Sequence, residues 1–507
     1  MTGRTVVLTP ADVAAFAAAS GDVNPLHVDE DFARRSTFGR TIAHGALVAL
    51  TALSSVPPHR LTRLSRLRAD FMAPVHPAEP YHVTVDGGAE DGDVVLRIEC
   101  RGELAARIDL ALTAPQRLVL RLPAERSVPQ PERTPLAWTL DALRPLPSWR
   151  VPYDVDLPRL RDVVTALSAA HVPDPIVLWL ARAGWVTGMH VPGRDGLLAG
   201  ITLTPAQGHV SRRDTEITVH GVDPRTGTVR AGARFHGPEG AATVDLRSFL
   251  RHRVTPPSRK SLQAHLPASN RLAGRHVLVA GGSRGLGAAL TGALASQGAT
   301  VWSLYARSDD RMREVQAEFG AERVRPVRCD ITDTDEIAAV AGYLDRQGVV
   351  LDGVALTAAP PLRPMPLHPQ AVASAVEYVG RSLMLILQPL SGLLPSHLPP
   401  GSWAVFVSSS VMRDPPARWG HYVASKAALE AYARHCQHHL GLRTLVLRAP
   451  KMHTDLVNDP TGRLGAVPIE RVAAACTQWV IDGSPAQGHM MRFVEGFPHI
   501  EELEGVV

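Results

Sequence analysis

The spacing of apolar positions changes character twice along the chain. Near the start, TPADVAAFAAASG places them at helical spacing, with Thr9 as the expected N-cap, Pro10 in the first turn and Gly21 as the stop. IAHGALVALTALSSV is apolar nearly all round, which predicts a buried helix. RLRADFMAPV, YHVTVDG, DVVLRIECRG and ARIDLALTA then alternate and predict antiparallel strands. One buried helix wrapped by a curved antiparallel sheet suits this order. The plan repeats further on. A helical DPIVLWLARAGWVTGMHV precedes GLLAGITLTP, DTEITVHGVD, TVRAGARFHG and AATVDLRSFL, although no residue-level repeat accompanies it. From RHVLVAGGSRGLGAALTGALASQGATVWSLYAR onward the pattern becomes short apolar strands (GVALTAA, SWAVFVSSS, RTLVLRAP) alternating with helices. That alternation predicts a doubly wound parallel sheet.

Two Pro- and charge-rich seams, residues 122–136 and 251–270, read as linkers. They delimit regions 1–122, 135–255 and 268–507, in keeping with roughly three domains for 507 residues. Composition narrows the function classes. With 53 basic and 49 acidic residues and no long Lys/Arg run, nucleic acid is not an expected partner. No uninterrupted apolar stretch suggests a membrane span, and the first residues lack a signal-peptide pattern, so a cytoplasmic location is expected. The cysteines, Cys100, Cys329, Cys436 and Cys476, are scattered, so neither a metal site nor a disulfide framework is expected.

The strand–turn–helix at Gly281-Gly282-Ser283-Arg284-Gly285-Leu286-Gly287 has the chemistry of a pyrophosphate cradle: backbone N–H groups at a helix N-terminus, and glycines that permit close approach. Far downstream lies Tyr422-Val423-Ala424-Ser425-Lys426, whose Tyr422 and Lys426 share a helix face. An ammonium beside a phenol is expected to lower its pKa and suit it to acid/base work. Together these elements resemble the short-chain dehydrogenase/reductase family. The resemblance implies a substrate-orienting serine before the tyrosine, for which spacing favours Ser409 and the Ser-Ser-Val pattern favours Ser410. It implies an adenine contact at Asp330-Ile331, a strand-end contact at Ala358, and a nicotinamide-side loop from Pro450 to Thr454. No acid follows the second strand; Arg307 stands there, and with Arg284 it suits a 2′-phosphate, so the expected cofactor is NADPH. Two departures stand out. Leu356-Thr357-Ala358-Ala359 replaces the family's Asn-Asn-Ala-Gly, and Tyr378 falls where a helix asparagine is usual.

In the first region, Asp22-Val23-Asn24-Pro25-Leu26-His27 is followed by Thr37-Phe38-Gly39 and by Ile42-Ala43-His44-Gly45. Asp22 and His27 can share one water and move its protons, and Asn24-Pro25 imposes an irregular backbone that brings them together. The helix start around His44 and Gly45 offers N–H groups to a thioester oxygen that gains negative charge. The plainer alternative is an Asx-type turn beside a surface histidine. With ADFMAPVHPAEP, these residues resemble the MaoC-like, R-specific enoyl-CoA hydratases with their hot-dog fold. The second region lacks such a set. Its Gly188-Met189-His190-Val191-Pro192-Gly193 stretch is expected to form a turn at the substrate mouth, with His190 and Asp195 structural.

The fold these resemblances imply is an α+β double hot-dog followed by an α/β Rossmann-type doubly wound parallel sheet. The implied function is a bifunctional enzyme that reduces a β-ketoacyl thioester with NADPH and dehydrates the β-hydroxyacyl product, in fatty-acid-like or polyketide biosynthesis. Its substrate is carried on an acyl carrier protein or coenzyme A, and a homodimer is left open. The reverse direction, a reductase whose hot-dog half only binds acyl chains or carrier protein, and a hot-dog thioesterase are the alternatives.

Overall fold

A computed structural model describes residues 2–87, 92–112, 118–123, 133–144, 146–208, 213–394, 396–458, 462, 464–483 and 488–503. Most of the first predicted seam lies outside these residues. The chain forms two compact units, one over Met1–Arg253 and one from Val254 onward.

The first unit is a single antiparallel sheet of ten strands: β1 (Thr2–Val7), β2 (Arg66–Phe71), β3 (Pro80–Gly87), β4 (Val94–Cys100), β5 (Glu103–Ala111), β6 (Trp149–Pro152), β7 (Gly196–Ala206), β8 (Asp214–Asp223), β9 (Thr228–His236) and β10 (Ala241–Leu250). Their order, β1-β3-β4-β5-β2-β7-β10-β9-β8-β6, is the same five-strand arrangement written twice in opposite senses. The halves join where β2 pairs with β7, Leu67 opposite Leu203 and Asp70 opposite Gly200. Alternating burial along β4 and β10 sends every second side chain to the core, as the period-two pattern requires. Each half wraps one buried helix, Gly45–Leu53 or Asp174–Trp185. These helices approach closely: a Cβ at Gly184 would lie 3.4 Å from the Cβ of Ala46. The second helix runs on into a π-helical turn, Val186–His190, closed by the Val191 N–H on the Val186 carbonyl at 2.8 Å. The turn expected at 188–193 therefore begins as a widened helical end.

The second unit has parallel strands β11 (His276–Ala280), β12 (Thr300–Tyr305), β13 (Val324–Arg328), β14 (Gly353–Leu356), β15 (Trp403–Ser409), β16 (Arg443–Ala449) and β17 (Gly488–Val494), with β18 (Phe497–Glu502) antiparallel at one edge. Their order, β13-β12-β11-β14-β15-β16-β17-β18, reverses between β11 and β14. One face is packed by helices Gly285–Ser296, Asp309–Phe319 and Ile469–Asp482, the other by Thr334–Arg346, Val372–Leu393 and Gly420–Leu440. Doubly wound sheets bind ligands at the carboxyl ends of strands where the order reverses, and the glycine turn after β11 lies there. The second predicted seam is not wholly linker: Ser258 caps a short helix, Arg259–Gln263, whose Leu262 enters the core. No helix among the described residues is long and apolar enough to cross a membrane.

Candidate functional sites

In the first unit, Asp22, Asn24, His27 and His44 come together as the sequence pattern predicts. Asp22 follows the helix Pro10–Ser20 and is 2% exposed. One of its oxygens accepts the Asn24 N–H at 3.4 Å, so an Asx turn is present as well, and it forms part of the site's own construction. Asn24 caps the short Pro25–Val28 helix by accepting the Leu26 N–H at 3.0 Å. That cap turns His27 back toward the helix Gly45–Leu53. His27 Nδ1 donates to the Ile42 carbonyl at 2.7 Å, which leaves Nε2 as a lone pair. His44 Nε2 donates to the Asp22 carbonyl at 2.9 Å, and its ring stacks on His27 with centroids 3.8 Å apart. Asp22, His27 and His44 each bring a ligand-capable atom within 4.8 Å of the others.

Burial sets the charge states here. With little to solvate a carboxylate, the Asp22 carboxyl is raised to about 7, against the opposing pull of the Asn24 N–H. Burial also lowers His27 to about 4, with the Arg251 guanidinium adding to the effect, and holds His44 well below its ordinary value. Between those limits the pair is a protonated acid and a neutral base. Gly45 opens the central helix with Phe71 and Leu198 against it, 3.0 and 3.1 Å from where a Cβ would stand. Its N-cap, His44, makes no side-chain cap bond, so the first N–H groups remain available to an oxyanion. At the matching helix start of the second half, the Asp174 carboxylate takes the Leu122 N–H at 2.8 Å and pairs with Arg121 and Arg161. The His190 carbonyl accepts the Trp138 indole N–H at 2.7 Å, while its imidazole meets the Trp185 ring edge-on at 4.3 Å and neither ring nitrogen has a hydrogen-bond partner among the described residues; Asp195 pairs with Arg253 at 3.2 Å.

In the second unit, the turn after β11 leads into the helix Gly285–Ser296. Gly281 adopts φ +91°, and a Cβ on Gly287 would strike the Gly281 carbonyl oxygen at 2.1 Å. Arg284, the helix N-cap, makes no side-chain cap bond, and the nearest atom to a Cβ at Gly285 is Thr454 Cγ2 at 3.6 Å. The helix start is thus neither self-capped nor covered by neighbouring backbone, which suits a cofactor pyrophosphate. Ser283 and Leu286 flank that start. Thr357 donates to the Ala280 carbonyl at 2.8 Å, bringing the backbone of Ala358 beside Gly281. Arg284 and Arg307 are exposed. Asp330 accepts from Thr332, which with nearby Arg381 and Arg307 keeps it below its ordinary value, and Ile331 is buried behind it. Pro450 and Thr454 follow the end of β16.

Ser409 ends β15, and its hydroxyl hydrogen-bonds Tyr422. Ser410 is exposed, and Ser408 points to the opposite side, donating to Glu430 at 2.6 Å. The expectation that Lys426 lowers the Tyr422 pKa is corrected. Burial raises the phenol, with Ser409 the opposing influence, while Lys426 donates to the Val407 carbonyl at 2.8 Å and sits 5.5 Å from the Tyr422 ring centre. Burial lowers Lys426 to about 8, resisted by Glu430. Sequence reasoning missed Glu430. It lies one turn beyond Lys426 and is buried between Ser408 and a two-pronged contact from Arg448 at 2.9 and 2.8 Å. Its spacing from Lys426 was the available signal. Tyr378 is buried near Tyr422, and its ring meets His421 edge-on at 4.8 Å.

Comparison with known proteins agrees with this division. Residues 2–92 match the family described as MaoC like domain, and residues 275–450 match short chain dehydrogenase. An (R)-specific enoyl-CoA hydratase of Aeromonas caviae is 59% identical over 39 residues, covering 8% of this chain and 29% of its own. A 3-hydroxybutyryl-CoA dehydratase of Methylorubrum extorquens is 34% identical over 83 residues, 16% of this chain and 52% of its own. An uncharacterized oxidoreductase of Mycobacterium bovis is 31% identical over 171 residues, 31% of this chain and 48% of its own. The chain spans about half or less of the length of each of these relatives. The polypeptide therefore joins a MaoC-like domain in its N-terminal region to a short-chain dehydrogenase domain in its C-terminal region.

Proposed function

We propose that the chain is a two-site acyl-thioester enzyme in which the C-terminal unit reduces a β-ketoacyl thioester with NADPH and the N-terminal unit, a double hot-dog, dehydrates the β-hydroxyacyl product. The observation that carries the second half of this reading is geometric: the Asp22 carboxyl and the His27 and His44 rings bring their polar atoms within 4.8 Å of one another, with His27 Nδ1 tied to the Ile42 carbonyl. In dehydration, His27 Nε2 takes the proton from the carbon next to the thioester. Negative charge moves onto the thioester oxygen, which the N–H groups at the Gly45 helix start receive. Asp22 gives its proton to the departing hydroxyl, which leaves as water as the double bond forms. Proton transfer from His27 to Asp22 restores the starting state. The same steps reversed hydrate an enoyl thioester.

For reduction, the residues after β11 suit a dinucleotide. Gly281, Ser283, Gly285, Leu286 and Gly287 would hold its pyrophosphate, Arg284 and Arg307 a 2′-phosphate, and Asp330, Ile331, Ala358, Pro450 and Thr454 would line the rest. A bound nicotinamide supplies the hydride. Tyr422 delivers the proton to the carbonyl oxygen, Ser409 orients that oxygen, and Lys426 supports the cofactor side of the site. Carriage on coenzyme A or on an acyl carrier protein, and action in fatty-acid-like or polyketide synthesis, belong to the same proposal. Incubation of the full chain with NADPH and a short β-ketoacyl thioester on either carrier tests it by mass spectrometry. Gain of two hydrogens followed by loss of water is expected, and reduction without dehydration refutes the coupled scheme.

A further inference from the structure

The second half of the N-terminal unit lacks an Asp-x-Asn-Pro-x-His sequence, yet its π-helical turn is built into the first half's site. The Asn24 side-chain amide donates to three carbonyls of that segment: Gly188 at 2.9 Å, Gly193 at 3.0 Å and Arg194 at 3.3 Å. Its oxygen is meanwhile committed to the Leu26 N–H, so every polar atom of this 1%-exposed amide is engaged. One turn apart, Gly184 and Gly188 present bare backbone to the Asp22 carboxylate. A Cβ on Gly188 would lie 2.0 Å from Asp22 Oδ1, whereas one on Gly184 would lie 3.3 Å from Oδ2. The segment is braced from outside, with the Leu136 N–H on the Met189 carbonyl at 2.9 Å and the Arg194 N–H on the Leu136 carbonyl at 2.8 Å. π-Turns interrupt regular helices at a cost and are frequent at functional sites.

We infer that residues 184–194 act as a positioning element for the acid/base reaction, with Gly188 as the seat of the Asp22 carboxylate and Asn24 as the clamp that locks the seat to the loop bearing Asp22 and His27. The second half is thereby a working part of the site. The inference rests on Asp22 being the acid of the proposed reaction. A side chain at Gly188 drives the carboxyl away from the hydroxyl it must protonate, and misplacement of about 1 Å costs on the order of 10²-fold in rate.

The test uses the full chain and hydration of crotonyl-CoA, followed by loss of the enoyl absorbance. Gly188→Ala is expected to lower kcat about 100-fold with little change in KM, and to displace the pH-profile limb belonging to Asp22. That carboxyl is faced by His27 and His44, with Tyr153 nearby. Gly184→Ala, where the neighbouring carboxylate need give only slightly at 3.3 Å, is expected to lose only a few-fold. Asn24→Ser keeps an N-cap oxygen but removes the amide N–H groups that hold the three carbonyls; it is expected to lower kcat and shift the same limb, and it decides the matter if Gly188→Ala does not fold by circular dichroism. A folded Gly188→Ala or Asn24→Ser enzyme with unaltered kcat and pH profile overturns the inference. Asp22→Asn separates the two failures. If it remains active, the acid/base reading itself is wrong. If it is inactive while Gly188→Ala and Asn24→Ser behave as wild type, only the positioning role is wrong.

Discussion

The charge states of Asp22 and His27 give a definite pH dependence for dehydration. The reaction needs Asp22 protonated and His27 neutral, a combination that holds between about 4, where His27 gains its proton, and about 7, where Asp22 loses its own. Both displacements come from burial, and the Arg251 guanidinium adds to the depression of His27. Titration of the free enzyme appears in kcat/KM, so this is the quantity to measure, with a β-hydroxyacyl-CoA substrate. It should be level between the two limits and fall about tenfold for each pH unit above the upper one, hence about 100-fold at two units beyond it. His27→Gln removes the proposed base and should abolish dehydration; a variant that kept its rate would refute the role of His27. A rate that rises through the upper limit would show Asp22 working as a carboxylate. A profile flat across both limits would show that neither group carries the chemistry.

The other predictions concern the second unit. Tyr422→Phe should lower β-ketoacyl reduction by about 10²–10⁴-fold, measured as NADPH oxidation, while crotonyl-CoA hydration persists. Equal loss of both activities would count against two independent sites. Ser409→Ala should impair reduction far more than Ser410→Ala, since Ser409 bonds Tyr422 and Ser410 is exposed; the reverse ranking would put the orienting hydroxyl on Ser410. Replacing both Arg284 and Arg307 with alanine should lower kcat/KM for NADPH by about 10–100-fold, the worth of a charge-assisted contact, and leave NADH use unchanged. Glu430→Ala leaves Arg448 and Ser408 without their shared partner. With Arg448 still partly solvated, the expected loss is about 3 kcal/mol, or roughly 6–12 °C in the melting temperature of that unit.

The sequence made the two chemistries legible because each rests on residues close together in the chain or fixed by one local element. The Asp22–His27 loop is a capped turn whose Asn24-Pro25 leaves little choice of backbone. Tyr422 and Lys426 share a face because a helix repeats every three to four residues. The glycine turn announces itself between strand and helix. Period-two and period-3.6 patterns likewise gave most strands and both buried helices. The edge strands β1, β6 and β18 were not anticipated, nor was β17, whose run of buried residues shows no alternation to read.

What only the tertiary structure decided are the contacts between distant segments. Which of Ser409 and Ser410 hydrogen-bonds Tyr422 depends on the register of β15 against the helix Gly420–Leu440, and it is Ser409. The partner of Lys426 proved to be a carbonyl of the preceding strand, so burial and not the ammonium governs the Tyr422 phenol. Gly188 meets Asp22 across more than 160 positions of chain, as the Asn24 contact beside it does. Such pairings leave no periodic trace in sequence. They arise because two half-sheets join through β2 and β7, and because burial, which sets the working charge of Asp22 and His27, is a property of the packed whole.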